Sequence, residues 1–199
     1  MRRDGIAVVL LAMALAALGC GPGAPQEPPR VPEPDPVRAA AVARAERAMN
    51  ALQTSLMARL RQAMDSGGTE KAVAVCRDEA VAISDRINRE YGITIGRTSH
   101  RLRNPVNAPR PWAADIVKMS AGSPADAVTL RVVDLGDWFG VLRPIGTVDL
   151  CTRCHGEAGA VRTSIGGVLA AAYPGDEAVG FKTGDLRGWM WAEVPKEQR

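Results

Sequence analysis

Five consecutive residues, Cys151-Thr152-Arg153-Cys154-His155, carry the most specific chemistry in the sequence. Two thiols separated by two residues can add across the two vinyl groups on one edge of a porphyrin. The adjacent histidine then falls beneath the iron and supplies an imidazole. The spacing predicts one covalent c-type haem attached through Cys151 and Cys154, with His155 as the proximal iron ligand. Two other chemistries use the same residue types. A dithiol redox pair does not need the histidine and usually opens a helix after a strand in a βαβ pattern, which this sequence lacks. Zinc needs four ligands, so Cys76 or His100 would have to join the three.

The position opposite His155 has several contenders: Cys76, His100, one of the five methionines after residue 18, or no side chain at all. His100 lies in a polar segment with Arg97, Arg101 and Arg103, the setting of an ordinary loop histidine. Cys76 falls on the apolar face of a predicted helix, where a lone thiol is commonly plain core. Arg97 and Arg103 are candidate partners for haem propionates, because a guanidinium binds carboxylates in bidentate fashion. A solvated basic loop surface is the simpler alternative for them.

These residues must be positioned by the rest of the chain. Met49, Leu52, Leu56, Leu60 and Ala63 recur at steps of three and four, which predicts an amphipathic helix from Val37 to Asp65, stopped by Ser66-Gly67-Gly68. A second helix is expected after Thr69, a candidate N-cap, running to about Glu90. Its apolar face collects Val73, Cys76, Ala80, Ile83 and Ile87, so Cys76 is expected to point inward. Ile93-Thr94-Ile95 reads as a short strand, Arg97 to Pro111 as an irregular loop, and Trp112 to Met119 as a short helix. Val128–Val133 and Trp138–Ile145 read as antiparallel strands joined by a tight turn, and Gly188–Val194 as a closing strand. The expected class is α+β with an antiparallel sheet, the CxxCH segment preceding the last strand.

Composition bounds the rest. A chain of 199 residues with 46% hydrophobic residues can build one core. Arg2 and Arg3 precede an apolar run from Ile6 to Leu18, too short to span a bilayer, so residues 1–19 read as a signal peptide. Ala17-Leu18-Gly19-Cys20 resembles a lipobox, making Cys20 the expected lipidation site; ordinary cleavage nearby, releasing a free periplasmic protein, is the alternative. Residues 20–36 form a Pro/Gly-rich tether and 37–199 the folded domain. The expected location is the periplasm, with a membrane anchor on Cys20. Without Arg2, Arg3 and Asp4 the chain keeps 23 basic and 21 acidic residues, not the balance of a nucleic-acid binder.

Several further stretches carry a family resemblance: Gly96-Arg97-Thr98-Ser99, Arg103 to Pro109 with Trp112, Cys151 to Gly156, Tyr173-Pro174-Gly175-Asp176, and Gly184-Asp185-Leu186-Arg187-Gly188. Together, over about residues 40 to 195, they resemble the PAS-like c-type haem family, which occurs as stand-alone exported cytochromes and as sensor regions of histidine kinases. The resemblance implies a PAS-like antiparallel sheet with long N-terminal helices and a single c-type haem. It also implies a cysteine on the second helix as the ligand opposite the histidine, which Cys76 matches. His155 and Cys76 are then the metal ligands. The expected role is redox or gas sensing rather than catalysis, with periplasmic electron transfer as the alternative. Either role calls for a partner, a redox protein or a sensor output protein.

Overall fold

The computed structural model describes residues 35–197, which fall within one compact unit. The expected signal peptide, Cys20 and nearly all of the expected tether lie outside the described residues. The first helix, α1 (Pro36–Asp78), starts where Asp35 caps it: its carboxylate accepts from the backbone N–H of Val37 at 2.9 Å and Arg38 at 3.3 Å, and Pro36 fills the first turn, where no N–H is needed. The expected stop at Gly67-Gly68 is a kink instead. Gly68 has φ 67° and ψ −164°, backbone essentially restricted to glycine, and the helix resumes at once to Asp78. The chain breaks again at Glu79, and α2 (Ala80–Tyr91) ends in left-handed Gly92.

Four strands form one antiparallel sheet in the order β1-β4-β3-β2: β1 Thr94–Thr98, β2 Arg131–Asp134, β3 Trp138–Gly146 and β4 Leu186–Pro195. The tight turn between β2 and β3 forms as expected, with Gly136 at φ 81° and its N–H bonded to the Asp134 carboxylate at 2.9 Å. The last strand lies in the middle of the sheet, paired with β1 from Thr94↔Glu193 to Thr98↔Trp189 and with β3 along its length. The short helix expected at Trp112 begins as a single 3-10 turn and becomes α3 (Ala114–Met119). Two further helices occupy the stretch before β4: α4 (Asp149–His155), which carries the CxxCH residues, and α5 (Ala158–Ala172). Among the described residues no helix is long and apolar enough to cross a membrane.

The main core lies between α1 and one sheet face. Ala41, Ala45 and Ala48 let the helix backbone approach, and Met49 and Leu52 fill the space against Ile95, Phe139, Val141, Met190 and Val194. Each fully buried side chain of Leu or Val size contributes roughly 1.5–3 kcal/mol relative to exposure. The opposite face is covered by Trp112, Ala113 and Val117 against Leu142, Leu186 and Trp189. A third cluster joins Val73, beyond the α1 kink, to Val161, Ile165, Leu169 and Tyr173 around α5. It brings the Cys76 segment beside the end of the sheet where α4 begins.

Candidate functional site

A cavity of about 460 Å³, within the range of small-molecule and cofactor sites, opens between α1, the ends of β1, β3 and β4, and α4. Its lining contains Cys76, Cys151, Cys154 and His155, residues far apart in sequence. Leu56, Met57, Leu60, Val73, Leu150 and Met190 give it apolar walls. Its charged lining is entirely cationic: Arg61, Arg97, Arg101, Arg103 and Arg187, with no Asp or Glu among them. A basic, mostly apolar space suits a flat hydrophobic ligand that carries acidic groups.

One side of the cavity is held by a chain of polar contacts. The carbonyls at the end of α4 would be orphaned at a helix C-terminus. Here the Cys154 carbonyl accepts from Arg103 Nη2 at 2.6 Å, the His155 carbonyl from the Phe181 N–H at 2.9 Å, and the Gly156 carbonyl from the Gly180 N–H at 2.6 Å. Arg103 is in turn paired with Asp176, 2.9 Å between Nη2 and Oδ2, and the two side chains are only 10% and 11% exposed. The other oxygen of Asp176 accepts from the Ala178 N–H at 2.8 Å, and the Ala178 carbonyl lies 2.7 Å from His155 Nδ1. A carbonyl only accepts, so Nδ1 carries the proton and Nε2 keeps the lone pair that a metal takes. Arg187 Nη2 is 3.3 Å from the same Nδ1. A guanidinium has only protons to offer, so this is a neighbouring charge and not a second hydrogen bond. Burial, followed by the charges of Arg187 and Arg103, holds His155 well below the usual histidine pKa. The imidazole is neutral, as a ligand must be.

The opposite side is built differently. Cys76 sits on the short helical stretch between the Gly67-Gly68 kink and the break at Glu79. As expected it points inward with Val73, but onto the cavity rather than into packed core. Val73, Val75 and Ala80 are buried, whereas Cys76 is exposed and faces the cavity it lines. Val73, one turn earlier on the same stretch, lines that cavity too. Of the other contenders, His100 is absent from the cavity lining and stands edge-on to Phe181 at 5.6 Å. Met57, Met64 and Met190 reach the lining, Met49 is core and Met119 is exposed. No three His, Cys, Asp or Glu among the described residues converge on a common metal position, which leaves the zinc alternative without a tetrahedral site.

The arginines divide by partner. Arg103, a candidate propionate ligand from the sequence, already has its carboxylate in Asp176. Arg101 bonds the Val179 carbonyl and lies over the Phe181 ring. Arg97 has no hydrogen-bond partner for its guanidinium among the described residues, and burial pushes its pKa down. Arg187, which sequence reasoning quoted without assigning a role, donates to Ser99 Oγ at 3.1 Å and stacks 4.8 Å from the centre of Phe181. Burial first, then the charges of Arg103 and Arg97, lower its pKa to about 10. Gly188, beside it, brings β4 so near β1 that a Cβ would lie 2.2 Å from the Thr98 carbonyl oxygen.

An α+β domain with a four-stranded PAS-like sheet, a long N-terminal helix and a CxxCH helix at a basic cavity defines the class of this protein. Residues 36–195 match the family described as Tll0287-like (Tll0287), and the chain belongs to the Tll0287-like family. This bears out the family resemblance carried by the sequence motifs. The crystal structure of the cyanobacterial heme-protein Tll0287 is similar in fold, with TM-score 0.58 and 20% identity, covering 83% of this chain and 99% of that one. No curated protein matches the chain.

Proposed function

We propose that this chain is an exported mono-haem c-type protein, with Cys151 and Cys154 forming the thioethers and His155 and Cys76 binding the iron from opposite sides. The reading rests on one observation: a single cavity gathers both CxxCH thiols, a histidine presenting a free Nε2, and a thiol on a different helix. Its family relative is described as a heme-protein, which agrees with this donor set. A haem bound there supplies a one-electron iron couple, and an anionic sulfur donor favours the ferric form and a low potential. The chain's own residues do the rest. Arg103, Asp176 and Ala178 hold the imidazole in one tautomer and orientation, and the apolar walls exclude water.

Redox or gas sensing is the role we favour, without catalysis. Cys76 lies on a stretch interrupted at both ends, so its thiol can withdraw while His155 stays fixed, and a sensor needs such a two-state element. The protein would act outside the cytoplasm, anchored through Cys20, and pass its signal or its electron to a separate protein partner. Electron transfer is the alternative, and it calls for the same ligands in both oxidation states.

Absorption and EPR spectra of both oxidation states, with and without carbon monoxide, test this. Protein matured in a host with cytochrome c assembly should give a low-spin ferric signal that changes in Cys76→Ser. It should bind carbon monoxide only when reduced. An unchanged signal in Cys76→Ser removes the thiolate. Indifference of the reduced protein to carbon monoxide removes gas sensing, and ligands that are the same in both oxidation states remove redox sensing too and leave electron transfer.

A further inference from the structure

Arg97 and Arg187 stand out among the cavity arginines because neither has a carboxylate partner among the described residues. Both are withdrawn from bulk water, and each keeps some accessible surface on the cavity it lines. The charges of Arg103 and Arg97 both oppose that of Arg187. Uncompensated buried cations cost several kcal/mol each, and a guanidinium stays charged. Arg103 escapes this cost through Asp176. Arg61 and Arg101 escape it by exposure. The arrangement is complete only with anionic groups beside Arg97 and Arg187.

Resting on the haem reading above, we infer that Arg97 and Arg187 form the site for the two porphyrin carboxylates, and that Arg103 instead positions the CxxCH helix. The assignment follows from who is already paired. β1 and β4 present the two cations from adjacent strands, with Thr98, whose buried hydroxyl has no hydrogen-bond partner among the described residues, lining the same wall. The bidentate geometry of guanidinium with carboxylate then supplies the missing counter-charges. A free carboxylate or phosphate would satisfy the same chemistry, so the test separates the two sources.

The test uses the full-length haem-loaded protein and four variants: Arg97→Gln, Arg187→Gln, Arg131→Gln and Arg97→Lys. Resonance Raman spectra report the propionate bending modes, and redox titration reports the ferric/ferrous balance. Arg97→Gln and Arg187→Gln should each shift the propionate modes and favour ferric iron by on the order of tenfold, equivalent to about 59 mV for one electron. Arg131→Gln, on the exposed edge strand away from the cavity, should leave both readouts as in wild type. Arg97→Lys, which keeps the charge, should shift the modes while restoring most of the potential, and it serves if a glutamine variant fails to fold. Unmoved propionate modes in both glutamine variants, or in Arg97→Lys where these do not fold, overturn the assignment. So does a wild-type potential that depends on added acetate or phosphate, which would mark a free-anion site. A wild-type protein that acquires no haem overturns the haem reading itself, and only in that case do both fall together.

Discussion

The two walls of the cavity each carry a metal-binding side chain on a short helical stretch, yet they are secured by different forces. The α4 wall is tied by hydrogen bonds: Arg103 to the Cys154 carbonyl, Asp176 to Arg103 and to the Ala178 N–H, and the Ala178 carbonyl to His155. The Cys76 wall is held by small apolar contacts, Val73 against α5 and Ala72 and Val75 against Ala63, between Gly67-Gly68 and Glu79. Its nearby ion pairs, Arg59–Glu79 and Arg77–Asp78, are two-point contacts, but they are half-exposed, so solvent screens them, unlike the buried Arg103–Asp176 pair. Directional bonds fix an orientation, whereas small apolar contacts tolerate sliding. The difference teaches which ligand is permanent and which is exchangeable.

The largest effect should come from breaking the fixed wall. Asp176→Ala leaves Arg103 buried and unpaired, so urea denaturation should show a loss of roughly 3–5 kcal/mol, together with poor haem incorporation. A loss within about 0.5 kcal/mol would mean that the polar chain is not what holds α4.

A smaller effect is expected at the kink. A Cβ at Gly68 meets no neighbouring atom within 4 Å, so Gly68→Ala pays for backbone conformation alone, about 1–3 kcal/mol. In the loaded protein it should also disturb the Cys76-dependent spectrum while leaving the thioethers at Cys151 and Cys154 intact, as judged by an unchanged c-type pyridine haemochrome. A stability equal to wild type would show that the kink is not required.

Smallest in stability is Cys76→Ser, within about ±0.5 kcal/mol in the haem-free protein because the thiol is exposed. The same substitution should raise the reduction potential of the loaded protein. This contrast between negligible stability change and clear redox change sharpens the comparison more than either number alone. A potential equal to wild type would place another ligand, or none, opposite His155.

Legibility in the sequence followed the same division. The CxxCH segment is contiguous, so its chemistry could be read without knowing the fold, and the α+β class followed from helical periods early and β-branched runs late. The residues that hold it could not be read in this way. Asp176 and Ala178 act through backbone atoms and a partner more than seventy positions away, and Arg187 reaches His155 only through the β1–β4 pairing. α5 was hidden because Gly166-Gly167 and many alanines blur its apolar stripe. The break at Glu79 has no glycine or proline to mark it. The first helix starts one residue before the expected Val37, since Asp35 caps it and Pro36 fits its first turn.

The account depends on iron porphyrin being joined covalently at Cys151 and Cys154. Mass spectrometry of the denatured protein, purified from a host that assembles c-type cytochromes, measures this directly. The mass should exceed that of the processed polypeptide by one haem, and the excess should vanish in the Cys151→Ser, Cys154→Ser double variant. A bare polypeptide mass, or an excess that survives the double variant, would contradict it.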